Sequence, residues 1–322
     1  MELDQSKFHL QMDQINLQAN PKAKRQIVKA YQSYCESKNI SSFPISFASL
    51  GQYLTAFTNK LQGSAKSLTK IIGAIKDYCT RQEIPWLSEK DILQLSDLRS
   101  NLEFNDFIPT KQAYPLVNHL IRRIDKSLDK NKIKDQLASV VISLGHDGLL
   151  RGGEMSSGLK KKNCNFGFDK SKSKQVAIDL KRTKTTRKGN GVTVIIKDHG
   201  KYSAVRKLNQ WIDTLHIRDK PEAFIFPAWN ERTKQFDHSR PMSAAYYRRL
   251  VKYAAQKGGL DKYFIRGHSP RAGGATDLFN AGLPYAYIKK FGRWKSDTGL
   301  LYYRDDDKIA SKVAKAFTRL QS

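Results

Sequence analysis

From Pro21 onward the apolar residues recur at helical spacing. In PKAKRQIVKAYQSYCESKN, Ile27, Val28, Tyr31 and Cys35 form one stripe, and FASLGQYLTAFTNKL repeats the pattern. The clearest case runs from Ser64 to Gln82, where Leu68, Ile71, Ile72, Ile75, Tyr78 and Cys79 line a core-facing surface. A short helix is expected after Ser88. Residues 21–103 therefore predict a small all-helical domain, preceded by a polar, weakly periodic tail over 1–20. EFNDFIPTKQAYP breaks the period and carries two prolines, which predicts a linker over 104–115.

The second domain, 116–322, resumes with helical patterns in LVNHLIRRIDKSL and IKDQLASVVISLGHDG. The pattern then changes. SKQVAIDL alternates, GVTVIIK is β-branched, and the basic turn KRTKTTRKGN lies between them, so a small antiparallel hairpin is expected. SAVRKLNQWIDTL, SAAYYRRLVKYAAQKG, PYAYIKKF and DKIASKVAKAFTRLQ read as further helices. HSPRAGGATDLFNAGL reads as a helix with both ends marked. Ser269 is a residue type that caps, Pro270 fits the first turn, and Asn280 to Gly282 can end it before Pro284. That start places His268 and Arg271 at a helix N-terminus, where backbone N–H groups favour anions. The predicted class is mainly α, with a small antiparallel β element in the second domain.

Composition narrows the partner. Among 322 residues, 57 Lys and Arg face 30 Asp and Glu, a net charge of +27. Such an excess points to a polyanion, nucleic acid first and an anionic membrane surface second. Between Leu150 and Asn209 there are 16 Lys and Arg against 4 Asp and Glu, so the charge gathers around the hairpin. Lys66, Lys70 and Arg81 lie off the apolar stripe of their helix; Lys66 and Lys70, with Arg182 and Arg187 of the basic turn, are candidate DNA contacts. A hydrophobic content of 39% supports packed cores over disorder. No apolar run approaches the ~20 residues of a membrane span, and MELDQSKFHLQMDQ lacks the order of a signal peptide. Cys35, Cys79 and Cys164 make neither a disulfide framework nor a zinc pattern. An intracellular, soluble, DNA-associated protein without membrane attachment is expected, in cytoplasm, nucleoid or nucleus.

Four separated pieces carry candidate chemistry: LLRGGE with Arg151 and Glu154, RTKT with Lys184, HSPR with His268 and Arg271, and GRWKSDTGLLYYRD with Trp294, Tyr302 and Tyr303. Singly each has an ordinary structural explanation. In this order they resemble the tyrosine recombinase (phage integrase) family, most nearly its Cre-like site-specific recombinases. That pattern is an Arg with a Glu three residues on, a hairpin Lys, a His-x-x-Arg, a His or Trp, and a Tyr nine residues later, here Arg151, Glu154, Lys184, His268, Arg271, Trp294 and Tyr303. KQAYPL and SAKSLTKIIGAIKDYCTRQEIP also resemble Cre-like segments, so the likeness covers roughly residues 20–322.

The resemblance implies a helical core-binding domain, a catalytic domain, and DNA strand cleavage and rejoining through a 3′-phosphotyrosyl link, without metal, ATP or other cofactor. Arg151 and Arg271 are expected to clamp the phosphate, since a guanidinium fork stays charged and donates two bonds to it. Lys184 is the expected general acid for the leaving 5′-oxygen. His268 would contact the phosphate and take the tyrosine proton, Trp294 would buttress the nucleophile, and Glu154 would orient Arg151 or His268. The nucleophile stays open between neighbours. Spacing from Trp294 selects Tyr303, the Tyr-x-Arg pattern through Arg304 selects Tyr302, and on a helix the two point about 100° apart. Gly299, expected within helix, would mark a stretch that lets the tyrosine engage and withdraw.

The resemblance further implies a duplex target with an inverted repeat and a homo-tetramer. Its contact would be the last helix, with Ile309, Val313, Phe317 and Leu320 on one stripe. A type IB topoisomerase, and a DNA-binding relic without activity, are the alternatives. Strand exchange against simple relaxation separates the first, and a covalent adduct the second.

Overall fold

Apolar stripes become buried faces in both halves of the chain. The computed structural model describes residues 21–61, 66–105, 112–180, 191–302 and Ala314. The chain divides into two units, Met1–Thr110 and Lys111–Ser322.

The first unit holds helices α1 (Pro21–Ser37), α2 (Phe47–Leu61), α3 (Lys66–Arg81) and α4 (Glu89–Asn105). α1 packs on α3 and α2 on α4. Tyr31, Cys35, Leu50, Leu54, Leu68, Ile75 and Cys79 meet in its core. The buried hydroxyl of Tyr31 is satisfied, because it pairs with Ser49 Oγ at 2.9 Å. Lys70 is exposed on α3, and Cys35 and Cys79 are buried free thiols. α4 runs beyond residue 103, into the stretch read as linker.

The second unit contains α5 (Asn118–Ser127), α6 (Ile133–Asp147), the single turn α7 (Gly152–Met155), α8 (Ala204–Thr214), α9 (Ala244–Lys257), α10 (Ser269–Asn280) and α11 (Tyr285–Gly292). Strands β1 (Cys164–Phe168), β2 (Lys174–Leu180) and β3 (Val192–Lys197) form one antiparallel sheet in chain order, with Ile178 opposite both Cys164 and Val194. β2 and β3 are the predicted hairpin arms. Their alternation buries Val176, Ile178, Leu180, Val194 and Ile196 on one face. Strand β1, and a second hairpin of β4 (Pro227–Asn230) and β5 (Gln235–Pro241), were not expected from the pattern. β1, CNFGF, is only five residues long and mostly unburied, yet its turn is marked, since Asp169 Oδ1 accepts from the N–H groups of Ser171 and Ser173.

α6 is the central element. Leu137, Ala138, Val140, Val141, Ile142 and Leu144 are buried nearly all round it, as α5, α8, α9 and α10 pack against it. Gly273 and Gly274 allow the approach of α10. A Cβ on Gly273 would coincide with the Leu116 carbonyl, and one on Gly274 with that of His146.

A charged network fastens the end of α6. His146 Nδ1 pairs with Asp147 and Nε2 with Asp277 of α10, both at 2.8 Å, and Asp147 also holds His199 and the N–H of Ala204. Burial alone would lower the His146 pKa, but Asp147 and Asp277 outweigh it and raise the value to about 9. The folded value lies above the unfolded one. The stabilisation is therefore full below about pH 6.5 and is lost as pH rises through 9, on the order of 3 kcal/mol. Melting curves of the unsubstituted protein should fall between pH 6.5 and 9, and those of His146→Gln should fall less. Parallel curves would refute this.

Candidate active site

The end of α6 sets the floor of the site. Leu149 follows Gly148 with φ 45°, a left-handed conformation that costs a non-glycine residue roughly 1–2 kcal/mol. The reversal turns the last carbonyls of the helix inward and brings Arg151 to the start of α7. Glu154 then folds back on it, accepting from Arg151 N–H and from Arg151 Nη1, both at 2.8 Å. Glu154 is 4% exposed. Burial alone would raise its carboxyl, but Arg293 first, then Arg151, hold it below the usual carboxylate range.

Arg271 rises from the first turn of α10 and is 1% exposed. Its Nη1 donates to the Leu149 carbonyl and its Nη2 to the Gly292 carbonyl. Nε is buried without a hydrogen-bond partner. The Trp294 ring lies over the guanidinium, 4.3 Å from its carbon. Burial, then the charges of Arg151 and Arg293, push the Arg271 pKa down. A guanidinium in that field gains from an arriving anion.

The α10 start differs from expectation in detail. His268 occupies the cap position with φ −91° and makes no side-chain cap bond, while Ser269 is already helical and its Oγ accepts from the Arg266 N–H at 3.0 Å. Ser269 therefore braces the preceding loop, and His268 is left facing outward. His268 Nε2 is hydrogen-bonded to the Tyr302 hydroxyl.

Tyr302 ends a 3₁₀ turn, Asp297–Tyr302, in place of the expected helix. Its carbonyl accepts from Thr276 Oγ1 at 2.9 Å, and its ring lies 5.6 Å from that of Trp294. Gly299 is buried here. A Cβ would lie 3.2 Å from both Trp294 and Tyr285, so close packing is one reason for glycine at this position.

The structure thus brings together Arg151, Glu154, His268, Arg271, Trp294 and Tyr302. Lys184, Arg182, Arg187 and Tyr303 lie outside the described residues, as does the apolar stripe of the last helix. The helix of Lys66 is described but its side chain is not.

Sequence reasoning missed Arg293. It stands in the left-handed region, φ 58°, at the end of α11. The available signal was an Arg directly before Trp294, at a helix end where glycine is favoured. Among the described residues, three guanidiniums and one carboxylate meet here, giving a net charge of +2 before any anion binds.

Packing fixes Trp294 against Gly292, where a Cβ would overlap the indole. Gly292→Ala should lift the ring from Arg271 and cost about 1–3 kcal/mol by overpacking. Melting should drop by a few degrees, whereas Gly167→Ala, with nothing within 4 Å, should leave it unchanged. Equal melting of both variants would refute this.

No protein-family model matches the chain, and no curated protein sequence does. Solved structures do. The XerH site-specific recombinase bound to palindromic difH substrate, a post-cleavage complex, matches with TM-score 0.62 at 16% identity, over 94% of this chain and 80% of that one. The Tn1549 transposon integrase with circular intermediate DNA matches with TM-score 0.55 at 18% identity, over 92% and 94%. The lambda integrase dimer on a COC′ core site gives 0.54 at 14%, over 93% and 95%. The chain has the tyrosine recombinase fold. Among the described residues, no helix is long and apolar enough to cross a membrane.

Proposed function

We propose that this protein is a site-specific DNA recombinase that breaks and rejoins strands through a covalent tyrosine link. The observation that carries the reading is the Tyr302 hydroxyl, seated on His268 Nε2 beside the buried guanidinium of Arg271. A nucleophile, a base to take its proton and cations for the developing charge are then within one site. The fold shared with recombinases whose structures contain DNA, and the net charge of +27, support the same reading.

In the proposed reaction, Arg151 and Arg271 hold the two non-bridging oxygens of a DNA phosphodiester. The Tyr302 oxygen attacks phosphorus as its proton passes to His268, and the bond from phosphorus to the 5′-oxygen breaks. Lys184 protonates that leaving oxygen. Attack by a 5′-hydroxyl on the phosphotyrosyl link reverses the steps and releases Tyr302, so rejoining needs no ATP. Tyr302 is taken as the nucleophile in this proposal on the contact of its hydroxyl with His268; Tyr303, which spacing from Trp294 selects, lies outside the described residues. The Cre-like scheme, with an inverted-repeat target, a tetramer on two sites and exchange of the last helix, is the proposed assembly.

The test begins with a duplex selected from a random pool by binding. A nick placed near the cleavage point lets the short 5′-hydroxyl fragment escape, which traps the adduct. A protein–DNA band that survives denaturant and is lost on protease treatment is expected. Tight binding without such a band would reject catalysis and leave a DNA-binding relic. Relaxation of supercoils without exchange between two sites would favour a type IB topoisomerase.

A further inference from the structure

Arg293 stands in the left-handed region, φ 58°, and both terminal nitrogens of its guanidinium are engaged. Nη1 donates to the carbonyls of Phe291 at 3.0 Å and Gly148 at 3.3 Å. Nη2 donates to the Leu149 carbonyl and to Glu154 Oε2, both at 2.9 Å. Its side chain is 8% exposed. A conformation this unfavourable persists only when its surroundings fix it, and such residues concentrate at functional sites.

The contacts reach both phosphate-holding arginines. Arg293 shares the Leu149 carbonyl with Arg271 Nη1, and its own carbonyl accepts from Arg151 Nη2 at 3.3 Å. The residues on either side of it also touch Arg271, Gly292 through its carbonyl and Trp294 through its ring. Arg293 also decides how much of Glu154 falls on Arg151. With Arg293 present, the carboxylate is divided between two cations. Without it, the whole negative charge would face Arg151 and cancel the attraction for phosphate.

We infer that Arg293 is a positioning residue of the cleavage reaction, which sets the two phosphate-holding guanidiniums in place and keeps Arg151 free to act as a cation. This rests on the reading above and adds a role for a residue that touches no DNA in it.

The experiment compares adduct formation on the trapping duplex by the full-length protein, Arg293→Gly, Arg293→Lys and the double variant Arg293→Gly/Glu154→Gln. Glycine accepts the backbone conformation, which offsets part of the cost of the lost contacts, and melting checks that the fold survives. Cleavage by Arg293→Gly should slow about 100-fold, with DNA affinity changed less than about threefold. Arg293→Lys, which restores charge but not the fork, should lie between. The decisive readout is the double variant. Removing the excess negative charge should recover about tenfold over Arg293→Gly alone, which a purely structural role would not produce. Unchanged cleavage in Arg293→Gly would overturn the inference, and so would a loss that the double variant leaves in place. Should Arg293→Gly fail to fold, Arg293→Lys decides: wild-type rates would overturn the inference, and slow cleavage at unchanged melting and affinity would uphold it. No adduct from the unsubstituted protein, despite tight binding, would reject the recombinase reading and this inference with it.

Discussion

Tyr302→Phe should abolish covalent capture of DNA, and Tyr303→Phe should leave it within a few-fold of the unsubstituted protein. The substitution removes one oxygen and keeps the ring that packs beside Trp294. The hydrogen bond to His268 is lost, at about 1 kcal/mol, so melting and DNA affinity should barely move. The chemistry has no substitute for the missing nucleophile, and the rate should fall by more than about 10³-fold. Gel-resolved adducts, with the modified peptide located by mass spectrometry, read the result directly. Capture retained by Tyr302→Phe and lost by Tyr303→Phe would move the nucleophile to Tyr303, the position that spacing from Trp294 selects.

Arg271→Ala should lose both stability and cleavage. The guanidinium is 1% exposed and donates to the carbonyls of Leu149 and Gly292. Truncation takes the Arg271 donor from the Gly292 carbonyl, at about 1–3 kcal/mol, leaves the Leu149 carbonyl to Arg293 Nη2 alone, and opens a void under Trp294. Loss of a cation aimed at the transition state should remove a further 10²–10³-fold in rate, about 3–4 kcal/mol. Arg271→Lys separates the two effects. It keeps the charge and cannot reach both carbonyls, so it should recover part of the stability and little of the rate. Full cleavage by Arg271→Lys would show that the planar fork is not needed.

Much of this was legible in the chain, for identifiable reasons. Helices with one apolar stripe, such as α3 with Leu68, Ile71, Ile75 and Cys79, announce their buried face. β2 and β3 do the same by alternation. Strand β5, QFDHSRP, carries no such pattern because its side chains are mostly exposed, and its ladder with β4 is held by backbone bonds that any sequence can make. Within the candidate site, Arg151, Glu154, His268, Arg271 and Trp294 were singled out by resemblance to the tyrosine recombinase pattern, since each alone has an ordinary structural explanation. Arg293 was not, because its role depends on a left-handed turn that returns the side chain to the end of α6. Tyr302 and Tyr303 could not be separated by a helical argument, since the segment leading to them is a 3₁₀ turn.

The carbonyl partners of Arg271 bear on turnover. A carboxylate beside a guanidinium neutralises it, and a nucleic acid would have to displace that partner on every visit. A peptide carbonyl orients the group and leaves its full charge on offer. Arg271 is held by the carbonyls of Leu149 and Gly292. In the proposed reaction, a phosphate could therefore meet and leave Arg271 without an ion pair of that residue breaking and re-forming. For the proposed recombinase, which would have to let go of its rejoined strands, Arg271 would serve as an electrode already charged, mounted on neutral insulators.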